Sequence, residues 1–161
     1  MEKKIIFNLL IVFVNFKMIQ SENILAIFQV PTYSHYSFQL PYLKELAARG
    51  HKLTIFAPFS SDFGDNPNVA QHVFKDTAKI QKTLIRAMKY KEEKLSLLQI
   101  FYYEVELVKK TIPLEIQHPE LQKIIENRHN EYHFDLLIVE CYLCPWVGLA
   151  DIYNCPIVYS I

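Results

Sequence analysis

The amino-acid sequence predicts an α/β fold whose core is a doubly wound parallel sheet. Apolar runs of strand length alternate along the chain with segments whose apolar residues recur at helical spacing. The first run, residues 24–30, is apolar at nearly every position, which is typical of a strand buried on both faces of a parallel sheet. Strand–helix–strand units connect by right-handed crossovers, so we expect helices on the faces of this sheet.

Length and charge restrict the class of protein. The 161 residues are enough for one domain with its own hydrophobic core. Seventeen basic and seventeen acidic residues cancel, so the charge balance gives no indication of nucleic acid or of an acidic surface as a partner.

The amino terminus has the pattern of a signal peptide, which we assign to residues 1–21. A short basic segment precedes an apolar run at 5–16. Its length of about a dozen residues fits the ~7–15 of a signal core and falls short of the ~20 that a membrane span needs. Ser21 is the expected cleavage point, and an uncleaved anchor is the alternative. The mature domain, 22–161, is then expected to be soluble within the secretory pathway.

The segment after the first strand has the pattern of an amphipathic helix over residues 36–49. Gly50 is expected to end this helix in a left-handed cap. Pro41 lies too deep for a first-turn proline, so it predicts a kink or a late start. The second strand is predicted at residues 52–57. The apolar stripe of the helix consists of Leu40, Leu43, Leu46 and Ala47.

The rest of the chain continues the alternation of strands and helices. A loop at 58–69 leads to a short strand at 71–75 and to a largely helical stretch at 77–112, which Pro113 is expected to end. The carboxy-terminal part then predicts a helix, a strand, a short helix and a last strand, at 119–128, 134–140, 146–153 and 156–161.

Two titratable side chains follow strands that are expected to be neighbours. His35 follows the first strand, and Glu140 ends the strand at 134–140. If the first strand lies between the second strand and this one, the order of the sheet reverses there, and open α/β sheets bind ligands at that crevice. An imidazole facing a carboxylate forms a base with its orienting partner. The alternative is that His35 only caps the helix and Glu140 is a solvated strand end.

The chain resembles the amino-terminal domain of the animal UDP-glycosyltransferases, the insect members most closely. The resemblance lies in residues 24–58, with the motifs Tyr-Ser-His and Arg-Gly-His-Lys-Leu-Thr, and in residues 133–161, with His-Phe-Asp-Leu-Leu-Ile-Val-Glu and Asn-Cys-Pro-Ile-Val-Tyr-Ser. It implies the Rossmann-like amino-terminal half of a GT-B glycosyltransferase. It also implies an acceptor-binding domain in the lumen of the endoplasmic reticulum, and a role in detoxification.

The resemblance implies roles for individual residues. It makes His35 the general base that takes the proton from the acceptor hydroxyl. It makes Glu140 the hydrogen-bond partner of that histidine, at a position where the family usually has aspartate. The implied reaction moves a hexosyl or glucuronosyl group from a UDP-sugar to a hydroxyl of a small lipophilic acceptor. Residues expected to contact the acceptor are Tyr33, Ser34, Phe101, Tyr102 and Tyr103, although aromatic residues at helical spacing are also typical of plain core.

The resemblance covers the acceptor half alone. The family's carboxy-terminal domain, which holds the UDP-sugar as co-substrate, has no counterpart in this sequence, and no glycine-rich loop is present to hold a diphosphate. We therefore expect an amino-terminal fragment or short form that needs no cofactor, lacks transferase activity alone and has full-length family members as candidate partners.

Two other classes of function remain open on the sequence. Cys141 and Cys144 form a C-x-x-C motif at a strand-to-helix junction, where a thiol–disulfide redox pair could lie. Too little chain follows Cys144 for the rest of a thioredoxin-like fold. The third hypothesis is a non-catalytic domain that binds small lipophilic molecules or partner proteins. No metal site is expected, because the two cysteines and Cys155 have no well-spaced fourth ligand.

Overall fold

A computed structural model of the chain describes residues 21–80, 82–83, 96–127, 130–141 and 144–160. The predicted signal peptide lies outside these residues except for Ser21, and so do residues 81 and 84–95 of the predicted helical stretch at 77–112. The described helices and strands are, in chain order, β1 (Asn23–Ile27), α1 (Tyr33–Ala48), β2 (Lys52–Ala57), β3 (Val69–Val73), α2 (Leu97–Ile116), α3 (Pro119–Glu126), β4 (Leu136–Glu140), a 3₁₀ turn (Pro145–Val147), α4 (Gly148–Tyr153) and β5 (Ile157–Ser160).

The strands form one sheet in the order β3-β2-β1-β4-β5. Every pair of neighbours in this sheet is parallel. Leu25, in the middle of β1, is aligned with Thr54 of β2 on one side and with Leu137 of β4 on the other. The predicted fold class is therefore confirmed, and so is the predicted position of the first strand between its two neighbours.

Side chains that alternate along the strands build a hydrophobic core on each face of the sheet. Ile24 and Ala26 of β1 pack in the core that contains Leu43 of α1. Leu25 and Ile27, which point the other way, pack in the core that contains α3 and α4. Helices therefore lie on both faces of β1, which explains why this strand is apolar throughout.

The order of the sheet creates a crevice at its carboxyl edge. The chain moves outward from β1 to β2 in one direction and from β4 to β5 in the opposite direction. Right-handed crossovers then send the connection after β1 and the connection after β4 to opposite faces of the sheet. The gap that opens between these two connections is where the residues following β1 and β4 meet.

Two prolines lie inside helices, against what the sequence predicted for the start of α1 and the end of α2. α1 begins at Tyr33 and contains Pro41, and α2 continues through Pro113 to Ile116. The expected late start of α1 and the expected end of α2 are therefore wrong, and the alternative of a kink at Pro41 stays a prediction. A proline inside a helix costs about 3 kcal/mol. The burial of Leu43 and Ala47 past the proline of α1 offsets this cost.

The end of α1 follows the sequence prediction. Gly50 has a φ of +87°, the left-handed region that glycine adopts without a Cβ penalty. Its backbone N–H donates to the carbonyl of Ala47, and the N–H of His51 donates to the carbonyl of Leu46. These bonds satisfy carbonyls that the last turn of α1 leaves open, and they set the direction in which the chain enters β2.

Within the described residues, no helix combines the length and the apolar character that crossing a membrane would require.

Candidate active site

The connection between β1 and α1 places His35 at the carboxyl edge of the sheet. β1 ends at Ile27, and Thr32 is still extended, with φ −110° and ψ 133°. α1 then begins at Tyr33, so His35 lies within its first turn rather than before the helix. About half of its side chain, 53%, is exposed. His35 is therefore held by a helix on one side and is open to a ligand on the other.

Glu140 is the last residue of β4, and its side chain is buried, with 4% of it exposed. The backbone N–H of Val30, in the connection after β1, donates to its Oε2 at 2.8 Å. Its Oε1 lies 3.9 Å from Nδ1 of His35 and has no hydrogen-bond donor among the described residues. The structure thus brings the two predicted residues together, and the alternative of a solvated strand end is wrong for Glu140.

The charge of Glu140 depends on this environment. Burial raises the pKa of its carboxyl group, while the N–H of Val30 and the positive form of His35 lower it. The 3.9 Å between the imidazole and the carboxylate allows an ion pair and exceeds the ~2.7–3.2 Å of a hydrogen bond. Catalytic hydrogen bonds are often this long without substrate and shorten when substrate binds. The arrangement can orient a histidine base and stabilise its protonated form.

Polar side chains of α1 lie near the carboxylate of Glu140. The hydroxyl of Tyr42 donates to Oε1 of Gln39 at 2.7 Å. Burial, together with a smaller effect of the Glu140 charge, raises the pKa of Tyr42 to about 12. Neither residue was predicted from the sequence. A signal was present, because they follow His35 at the i+4 and i+7 positions and so share its face of the helix.

A second buried carboxyl group interacts electrostatically with the first. Glu115, in the last turn of α2, is completely buried, and the indole N–H of Trp146 donates to its Oε2 at 3.2 Å. Burial raises the pKa of Glu115 to about 8, the hydrogen bond with Trp146 and the nearby hydroxyl of Thr111 lower it, and the charge of Glu140 raises it. Glu115 was not predicted from the sequence, because the helix was expected to end at Pro113.

Comparison with known proteins bears on what this site does. The chain is 33% identical over 138 residues to UDP-glycosyltransferase UGT4 of Dactylopius coccus, an alignment that covers 85% of this chain and 26% of the relative. It is 23% identical over 143 residues to the ecdysteroid UDP-glucosyltransferase of Lacanobia oleracea granulosis virus, covering 84% of this chain and 29% of the relative.

The chain is UDP-glycosyltransferase-like. No family model matches it. It spans between a quarter and a third of the length of these two curated relatives. The sheet that carries His35 and Glu140 is consistent with the amino-terminal half of a GT-B glycosyltransferase.

In the UDP-glycosyltransferase-like chain, two of the residues predicted to contact the acceptor lie next to His35. Tyr33 and Ser34 occupy the first two positions of α1, and both are exposed. The ring of Tyr33 meets the ring of Phe59, in the loop after β2, edge to face, with ring centroids 5.7 Å apart. Tyr33 therefore lies in the same first turn of α1 as His35, and its contact with the acceptor stays a prediction.

The other three predicted acceptor residues lie near the start of α2. Phe101 and Tyr102 are 57% and 61% exposed, and Tyr103 is half-buried against Tyr102. Across the described residues, no hydrogen bond, ion pair or ring contact joins these three residues to His35 or Glu140. Their exposure does not fit plain core, and their role at the acceptor site stays a prediction.

The redox hypothesis for the cysteines stays a prediction. Cys141, Cys144 and Cys155 are all free. Burial raises the pKa of Cys144 to about 11, whereas the attacking thiol of a redox pair needs a lowered pKa. No observation in the structure therefore favours the redox hypothesis. Within the described parts of the chain, no cluster of three or more histidine, cysteine or acidic side chains could hold a metal ion.

Proposed function

We propose that this chain supplies the acceptor side of UDP-glycosyl transfer, with His35 as the general base and Glu140 as its orienting partner. The observation that carries the proposal is the position of this pair. The exposed imidazole and the buried carboxylate lie 3.9 Å apart at the switch point of the parallel sheet. They do so in a chain whose similarity to a UDP-glycosyltransferase covers 85% of its length.

The chemistry follows from which ring nitrogen faces the carboxylate. Nδ1 of His35 faces Glu140, so Nε2 is the nitrogen left to take the proton from an acceptor hydroxyl. The acceptor oxygen then forms a bond to the anomeric carbon of the sugar, and the bond between that carbon and the UDP oxygen breaks, with inversion. The carboxylate of Glu140 stabilises the imidazolium that results.

The acceptor is proposed to be a small lipophilic molecule with a hydroxyl group. One curated relative is named for ecdysteroids, which are polycyclic alcohols, and this supports an acceptor with a large apolar body. The UDP-sugar is a co-substrate, and the chain spans only 26% and 29% of its two relatives. We therefore assign the UDP-sugar site to a donor domain outside this chain, with full-length family members as partners in the endoplasmic reticulum lumen.

A chimera tests the proposal. Residues 22–161 replace the equivalent segment of the Dactylopius coccus relative, and turnover of UDP-glucose is measured with a panel of phenolic and steroid acceptors. We expect glucosylation of at least one acceptor. The 161-residue chain alone is expected to show neither turnover nor binding of UDP by calorimetry. The proposal fails if a folded chimera is inactive with every acceptor that the unaltered relative uses.

Glu140 variants in the same chimera test the orienting role. Glu140→Gln removes the charge that faces His35, so kcat/KM should fall roughly tenfold or more, because the imidazolium loses its counter-charge. Glu140→Asp keeps the charge and restores the family's usual residue, so most of the activity should remain. The matched control is Glu131→Gln, at an exposed glutamate. Equal activity of the Gln, Asp and unaltered chimeras would remove Glu140 from the mechanism and leave His35 in it.

A further inference from the structure

Glu115 is a buried acid that has no role in the proposed reaction. Its carboxyl group is completely buried in the last turn of α2. Oε2 accepts a hydrogen bond from the indole N–H of Trp146, and Oε1 has no hydrogen-bond partner in the described part of the chain. Burying a carboxyl group with one unsatisfied oxygen costs free energy, so a role for this group is worth seeking.

Within the described part of the chain, the groups around Glu115 do not offer it a positive charge. The titratable groups that face it are Glu140, from the end of β4, and Cys144, from the segment before Trp146. Thr111, one turn earlier in α2, contributes a hydroxyl. None of these described neighbours is a cation. An ionised Glu115 would therefore add a second buried negative charge beside Glu140, whereas the neutral acid adds none.

We propose that Glu115 is a positioning residue for the His35–Glu140 pair. As a neutral acid it anchors Trp146 in the 3₁₀ turn, and it leaves Glu140 as the buried carboxylate that acts on His35. The catalytic consequence rests on the proposed function, but the neutral acid and its contact with Trp146 do not. When Glu115 loses its proton, its charge repels Glu140 and requires hydration. The 3₁₀ turn then shifts, and Glu140 loses its position.

Trp146 provides a direct readout, because it is the only tryptophan in the sequence. Burial raises the pKa of Glu115 to about 8, so the fluorescence of the 161-residue chain should change reversibly with a midpoint between roughly pH 7 and 9. Glu115→Gln should remove this transition, because the amide keeps an oxygen for the indole N–H and does not titrate. Far-UV circular dichroism at each pH serves as the control that the chain stays folded.

Two controls decide the assignment even if Glu115→Gln does not fold. Cys144→Ser should keep the fluorescence transition, and Glu140→Gln should keep it at a lower pH, because it removes the repelling charge. The assignment to Glu115 is overturned if the unaltered chain shows no transition, if the transition persists in folded Glu115→Gln, or if either control abolishes it.

The pH dependence of the chimera tests the positioning role itself. With Glu115 present, kcat/KM should fall severalfold between about pH 7.5 and 9, and with Glu115→Gln it should stay level over this range while matching the unaltered chimera near pH 7. The same alkaline decline in both chimeras would overturn the positioning role. An inactive chimera would instead contradict the proposed function and leave the fluorescence result intact.

Discussion

Replacing His35 by alanine in the active chimera should lower kcat/KM by at least about 100-fold. A positioned general base typically contributes ~10²–10⁴-fold to the rate, and the carboxylate of Glu140 cannot take over because it is buried below the imidazole. The stability of the domain should change little, because half of the His35 side chain is already exposed. Steady-state kinetics and thermal unfolding of the same preparation measure both effects.

The chain contains a matched control for this substitution. His133 is also an exposed histidine paired with a carboxylate, since its Nε2 lies 2.9 Å from Oδ1 of Asp135. This pair lies just before the amino end of β4, whereas His35 lies at the carboxyl end of the strands. His133→Ala should leave kcat/KM within about twofold. If His35→Ala keeps full activity, or if both alanine variants lose activity equally, His35 is not the base.

The local hydrophobic pattern predicted most of the sheet. β2 lies where the sequence placed it, and β1 and β4 differ from the predicted strands only at their ends. The proximity of His35 and Glu140 could also be predicted, because the carboxyl ends of neighbouring parallel strands meet at one edge. This step needed only the order of the strands, which the sequence argument assumed and the structure confirms.

The features that were missed depend on tertiary structure. Pro113 was expected to end a helix, but α2 continues to Ile116, and Glu115 therefore lies on a buried turn rather than in a loop. The hydrogen bond from Val30 to Glu140 depends on the backbone path after β1, which no residue pattern specifies. Helix propensity is a weak guide to where a helix ends when the burial of neighbouring residues compensates for a proline inside it.

The buried Glu115 should make the stability of the chain fall as the pH rises. Its pKa in the folded chain is raised to about 8 by burial, compared with an ordinary value of 4.5. Below about pH 4.5 the group is protonated in both the folded and the unfolded chain. The free energy of unfolding is then not reduced by the cost of burying a charge. Above that pH the unfolded chain releases the proton first, so the free energy of unfolding falls progressively until about pH 8.

The stabilising effect of Glu115→Gln, compared with the unaltered chain, should therefore be larger at pH 8 than at pH 5. The free energy of unfolding of the variant, minus that of the unaltered chain, should increase between these pH values by an amount on the order of 4 kcal/mol. Urea unfolding at the two pH values measures this difference. Glu131→Gln, at an exposed glutamate, should change the free energy of unfolding by less than about 0.5 kcal/mol at either pH. A difference for Glu115→Gln that does not vary with pH would mean that Glu115 is already ionised at pH 5 in the folded chain. In that case Glu140 could not be the one buried carboxylate acting on His35.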